Sequence, residues 1–286
     1  MMKKVFLLAI IALGFFAISC DDDDNTTTTS ELTLNLTGLE DLGSEYVYEG
    51  WIIVDGSPVS SGTFTSVSFP QTFIINSEQL ASATTFVLSI EPSVDNDPAP
   101  AATKILVGDF SGNSATVSTA IVGDFSNSSG KYILATPTDG SDSNENSGIW
   151  FLDLSTGSPA IGLDLPVLDD GWRYEGWAVI DGTPVTSGTF TAIDEADLFD
   201  NFSSTMNPGP PFPGEDYLMN APSGLTFPTD LAGGTAVISI EPYPDNSPAP
   251  FTLKPLVGAI AIDAIDHTTY DMSLNISNLP AGSVSR

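Results

Sequence analysis

Tyr48-Glu-Gly-Trp51-Ile-Ile-Val-Asp55-Gly-Ser-Pro58-Val-Ser-Ser-Gly62-Thr-Phe64 is the stretch that decides how this chain folds. Val47 to Val54 is a run of aromatic and β-branched residues, the composition of a pleated strand. Asp55-Gly56 supplies two residues that tolerate positive φ, which a two-residue hairpin turn demands. The stretch therefore predicts a β-hairpin. It also returns, residue for residue in spacing, as Tyr174-Glu-Gly-Trp177-Ala-Val-Ile-Asp181-Gly-Thr-Pro184-Val-Thr-Ser-Gly188-Thr-Phe190. Tyr48, Trp51, Gly56, Gly62 and Phe64 thus correspond to Tyr174, Trp177, Gly182, Gly188 and Phe190, and are read as residues that hold a repeated structure.

A second block repeats in the same order. Val87-Leu-Ser-Ile-Glu91-Pro92-Ser-Val-Asp95-Asn-Asp97-Pro98-Ala-Pro100 matches Val237-Ile-Ser-Ile-Glu241-Pro242-Tyr-Pro-Asp245-Asn-Ser-Pro248-Ala-Pro250, and a Leu-Val-Gly step follows each. Self-similarity of this kind marks a duplicated domain. Alternation at Phe86 to Glu91, Thr33 to Thr37 and Met272 to Ser277 fits strands with one buried face. No stretch after residue 30 has the period of a long amphipathic helix, although Asp194 to Asp200 could make one or two turns. The fold class expected is all-β: two tandem β-sandwich domains, over 31–145 and 146–286. The polar, turn-rich run Thr136 to Gly148 is the expected linker, with the boundary near 140–148.

The copies differ in length. Trp51 to Glu91 spans 40 positions and Trp177 to Glu241 spans 64, the excess lying in an insertion over about 194–224. Its Asn207-Pro-Gly-Pro-Pro-Phe-Pro-Gly214 core is too rich in proline for the interior of a strand or helix. Long loops on rigid scaffolds often carry function, so Phe212 and Tyr217 are candidate partner-contacting residues. The alternative is that the loop folds over an exposed sheet edge.

The chain starts with two lysines, an apolar run from Val5 to Ile18, Ser19 and its one cysteine, Cys20. That order describes a secretory signal peptide (1–19), too short for a span. Ala17-Ile-Ser-Cys20 resembles a bacterial lipobox, which implies cleavage before Cys20 and lipidation of it. Asp21, Asp22, Asp23 and Asp24 with the Thr-rich run to Ser30 read as a solvated tether over 20–30. Acidic residues directly after the cysteine resemble the surface-export signal of Bacteroidetes lipoproteins. The expected address is the outer membrane, at the cell surface, with a periplasm-facing lipoprotein as the alternative.

The formal net charge is −30. After cleavage five basic residues (Lys104, Lys131, Arg173, Lys254 and Arg286) would face 37 acidic ones. Such a surface repels nucleic acid and anionic lipid. It suits divalent cations, basic partners or a salty exterior where charges are screened.

The repeated pattern resembles the C-terminal, extracytoplasmic domain of anti-sigma-K factors. An aromatic-x-x-Trp strand, a Gly turn, a Pro-Val-x-x-Gly-x-Phe return and a later Glu-Pro with a Pro-x-Pro tail stand here at Tyr48, Trp51, Gly56, Pro58, Gly62, Phe64, Glu91, Pro92, Pro98 and Pro100, and again in the second copy. The resemblance implies an outer sensing or binding module. The chain lacks the sigma-binding segment and the membrane-spanning helix of that family, so it implies that module by itself.

Catalytic chemistry finds little support. Zinc sites draw mainly on Cys and His, and the single histidine, His267, sits in an expected surface turn. No Gly-x-Ser-x-Gly elbow is present. Glu91 and Glu241 could form a carboxylate pair only across copies, and the simpler reading has each accept hydrogen bonds that fix the Pro-rich loop after it. Trp51 and Trp177 are expected as buried anchors. Calcium is the one cofactor left open, with Asp95, Asp97, Asp139, Asp142 and Asp245 as candidate oxygen donors. The function expected is a non-catalytic envelope lipoprotein that binds or senses an unidentified protein or glycan. The alternatives are a calcium-stabilised adhesin and, more remotely, a carbohydrate-active enzyme.

Overall fold

The computed structural model describes residues 28–140, 143–245 and 247–286. Cys20 and Asp21 to Asp24 lie outside the described residues, as does Asp142. The chain is nearly all β, built from antiparallel strands in a sandwich-type fold. The first copy contributes β1 (Thr29–Thr37), β2 (Tyr46–Val54), β3 (Ser57–Phe64), β4 (Gln71–Asn76), a short helix α1 (Ser77–Ser82), β5 (Thr85–Pro92), β6 (Lys104–Ser111) and β7 (Ser114–Ser118). Next come β8 (Ser129–Leu134), β9 (Gly148–Trp150), β10 (Leu152–Asp153), β11 (Ala160–Ile161) and β12 (Leu163–Asp164). The second copy continues with β13 (Trp172–Ile180), β14 (Thr183–Phe190), β15 (Gly214–Asp216), β16 (Thr235–Pro242), β17 (Leu256–Ala259), β18 (Tyr270–Asp271), β19 (Ser273–Leu274) and β20 (Ala281–Ser285).

The duplicated hairpin forms as its residues dictate. Asp55 and Gly56 have φ of 50° and 78°, and Asp181 and Gly182 have 50° and 80°. Both hairpins bulge at one place, between Gly50 and Trp51 and between Gly176 and Trp177. The bulge explains the Gly before each Trp: the hydroxyls of Ser61 and Ser187 occupy the space a Cβ would need on Gly50 and Gly176. Alternation then sends Tyr48 and Ile52, like Tyr174 and Ala178, into the apolar core, where they meet Phe86, Leu88, Ile238 and Ile240 from β5 and β16. Tyr48 stacks on Phe64 at 5.5 Å and Tyr174 on Phe190 at 5.5 Å. Each buried tyrosine keeps its hydroxyl satisfied, Tyr48 donating to Glu40 O and Tyr174 to Pro166 O.

The expected boundary near 140–148 does not divide the sheets. Among the described residues the first sheet runs β3-β2-β5-β6-β7-β20-β1-β4, so the last strand of the chain lies inside the sheet of the first copy. Conversely, β8, which follows the first copy in sequence, pairs with β12 and β18 of the second. The registers coincide: Leu36 and Thr37 face Gly282 and Ala281, while Leu163 and Asp164 face Gly130 and Ser129. Each copy therefore lends its final strand to the other. The assignment of 129–134 to the first sandwich and of 281–285 to the second is corrected accordingly.

The second copy also departs from the first locally. The place of β1 is shared by β9 and β12, with the β10–β11 hairpin inserted between them. β15 takes the position of β4: Trp150 faces Gly214 as Thr33 faces Thr72. No helix forms over Asp194 to Asp200; Asp197 instead accepts from Phe199 N at 2.9 Å and Gly214 N at 2.8 Å.

Candidate functional site

On the sheet face opposite the tyrosines, both copies build the same relay from the repeated residues. Trp51 Nε1 donates to Ser89 Oγ at 2.8 Å, Ser89 donates to Glu91, and Glu91 accepts Ala101 N at 2.8 Å. Trp177 Nε1 donates to Ser239 Oγ at 2.8 Å, Ser239 donates to Glu241, and Glu241 accepts Phe251 N at 2.9 Å. Each glutamate ties down the Pro-rich loop after its strand, the role its position suggests. Trp51 and Trp177 are buried at these sites, away from the main apolar cluster. Burying an indole N–H or a carboxylate without such partners would cost about 1–3 kcal/mol or more.

The second copy adds a carboxylate cluster to this face. Glu175 on β13 lies opposite Ser239 on β16, with Glu241 diagonal to it. Among the described residues, Glu175, Glu241 and Asp245 bring one carboxylate oxygen each within 4.8 Å of one another. Glu175 is 5% exposed and Glu241 1%. Thr186 holds Glu175 Oε1, and Glu175 Oε2 is buried without a hydrogen-bond partner. Burial pushes Glu175 up to about 7 and Glu241 up to about 8. In the first copy Glu49, Glu91 and Asp95 occupy the same sequence positions, but Glu49 is half-buried and they line an open groove of about 410 Å³.

Glu241 and Asp245 also form one wall of a cleft of about 720 Å³, which opens between the copies. Residues 40–46, the connection from β1 to β2, line it together with residues 101–103 and 241–245. The copies touch at its base: Thr252 Oγ1 donates to Gly38 O at 2.6 Å, and a Cβ on Gly171 would come within 3.0 Å of Ala102 C. Tyr46 and Tyr243 offer aromatic surface, and Tyr243 is 54% exposed. Arg173 stacks on the Tyr243 ring at 4.0 Å. Glu40, Asp41, Glu45, Glu241 and Asp245 place five carboxyl groups along the lining.

The residues expected in the inserted loop do something else. Phe212 packs in a satellite core with Ile133, Ala135, Trp150 and Leu152. Tyr217 is completely buried and sits against Phe202 and Phe227, its hydroxyl near Val185 O and Thr186 O at 3.3 Å. Both side chains are buried: the insertion closes a sheet edge through β15, and its aromatics fill the space beneath. Asp95 and Asp97 accept backbone N–H groups two residues on, as turn residues do. Asp139 lies at a loop turn beside Thr136 O, outside the carboxylate cluster. Asp245 is the calcium candidate that enters the cluster; Glu175 and Glu241 were not among those candidates. Their signal was present in the repeated Glu-Gly-Trp and Ser-x-Glu-Pro, where alternation puts Glu and Trp on one face. His267 stands in an exposed turn at φ 49°, 3.0 Å from Asp266.

No family model, no curated protein and no solved structure matches the chain.

Proposed function

We propose that this protein is a non-catalytic cell-envelope lipoprotein that takes a basic peptide segment into the cleft between its copies. It would act as a binding or sensing module akin to the outer domain of anti-sigma-K factors, tethered through Cys20. The cleft carries this reading. Both copies build it, two tyrosines face it, and five carboxyl groups stand along its wall. Aromatic side chains supply much of the energy in such contacts, and acidic linings attract and orient cationic partners. Among the described residues no helix is long and apolar enough to cross a membrane.

The experiment is an array of lysine- and arginine-rich peptides beside acidic peptides and polysaccharides. Binding should favour the basic peptides, weaken as salt rises, and fall about tenfold or more in Tyr243→Ala. Equal capture of acidic peptides, or undiminished binding by Tyr243→Ala, would defeat the reading. Selective capture of a polysaccharide would replace the peptide by a glycan.

A further inference from the structure

We propose that Glu175, Glu241 and Asp245 bind one calcium ion at the wall of the inter-copy cleft. Three carboxylates converge there, one oxygen from each lying within 4.8 Å of the others. Oxygens around calcium sit at about 2.3–2.6 Å from the ion, so a shell roughly 5 Å across accommodates that spacing. All three donors are hard oxygens, the chemistry calcium takes and softer metals do not favour.

The cluster is costly as it stands. A buried carboxylate normally finds a cation or a full set of donors. Glu175 is only 5% exposed, and its Oε2 has no hydrogen-bond partner. Neither nearby basic residue hydrogen-bonds Glu175 Oε2: Arg173 lies over Tyr243, and Lys254, whose charge acts on Glu241, donates from Nζ to Phe251 O at 2.6 Å. A divalent cation supplies what the chain does not.

The remaining contacts hold the donors in place. Thr186 fixes Glu175 through its other oxygen. Ser239, held by Trp177, fixes Glu241. Ser247 N donates to Asp245 Oδ1 at 2.8 Å. Glu241 and Asp245 reach the cleft, which gives the ion an entry path and room for waters. The first copy provides an internal control. Glu91 is as buried as Glu241, but Glu49 and Asp95 lie on an open groove where solvent can hydrate their carboxylates. One ion per chain is therefore expected, held by the second copy. The ion would share Glu241 and Asp245 with the wall of the cleft, and its binding does not depend on which ligand the cleft takes.

The test uses the full chain, with CaCl₂, MgCl₂ and EGTA as probes. One millimolar CaCl₂ should raise the melting midpoint by about 5 °C over EGTA if affinity is on the order of 10⁻⁴ M or tighter. Terbium, a luminescent stand-in for calcium, should be sensitised through Trp177, whose indole is two hydrogen bonds from Glu241. Glu175→Gln keeps an acceptor for Thr186 but removes the charge. It should weaken calcium binding about tenfold or more, yet melt in EGTA no lower than the parent. A glutamate that merely braces the sheet would give the opposite result in EGTA. Glu49→Gln should leave the calcium response intact. No midpoint shift in the parent, an equal shift with MgCl₂, a preserved response in Glu175→Gln, or loss of the response in Glu49→Gln would each overturn the assignment.

Discussion

Glu215 shows how one residue can tie stability to pH. It stands on β15 at the position that Phe73 occupies on β4, since Ile149 faces Glu215 as Leu32 faces Phe73. A carboxyl has thus taken the place of a phenyl ring, and it is completely buried. Burial pushes it up to about 8, against donors from Ser203, Asp216 N and Phe202 N and with Asp197 nearby. Unfolded, the same group titrates near its ordinary 4.5. Between these values the folded chain holds a proton that the unfolded chain has released. Stability from this group is therefore full below about pH 4.5 and is lost as pH rises towards 8. Glu215→Gln should remove that slope and raise stability at pH 8 by on the order of a few kcal/mol. Urea unfolding of both proteins at pH 5 and pH 8 checks it; an unchanged difference between the two pH values would refute it. The sequence cannot reveal such a group, because Glu215-Asp216 in a Pro-rich insertion reads as solvated polar chain. Only the pairing of β15 with β9 shows it to be buried.

At the level of elements, the hairpins and strands of the repeat were legible because single residues impose them. Asp55-Gly56 and Asp181-Gly182 set the turns, and the Gly-Trp pairs set the bulges. The exchange of β8 and β20 was not legible. Alternation says which face a residue takes, not which sheet receives the strand. The aromatics of the insertion misled for a related reason: a phenyl group in a proline-rich run looks the same whether it contacts a partner or seals an edge. The exchange makes the last residues structural. Arg286 donates from Nη1 to Leu80 O at 2.6 Å and Ala83 O at 2.7 Å, at the end of α1, and lies over Phe110 at 4.3 Å. Hydrogen bonds to a charged group contribute about 1.5–3 kcal/mol each at most sites. Arg286→Ala should destabilise by about 2 kcal/mol, and removal of 281–286 should do far more, exposing the edges of both β1 and β7. Thermal melting and light scattering are the measurements. A truncated chain that melts like the parent would show that β20 is dispensable.

At the scale of the whole molecule, charge and attachment go together. A chain of net charge −30 has little affinity for anionic membrane, so the proposed acyl group at Cys20 would be its hold on the envelope. Cys20→Ala should shift the protein from the membrane fraction to the soluble one and abolish palmitate labelling; label retained in the variant would contradict the anchor. The position of β1 then acquires a mechanical meaning. This strand begins at Thr29, a few residues from Cys20, and its far end runs directly into residues 40–46 of the cleft wall. A load applied by something held in the cleft would pass along β1 to the lipid. On either side β1 is laced to β20 from Thr33 to Thr37 and to β4 from Thr29 to Leu34. Force along that axis shears the two ladders, so their bonds share the pull and do not peel one after another. With the proposed anchor at Cys20 and the proposed ligand in the cleft, the body would bear tension between the two.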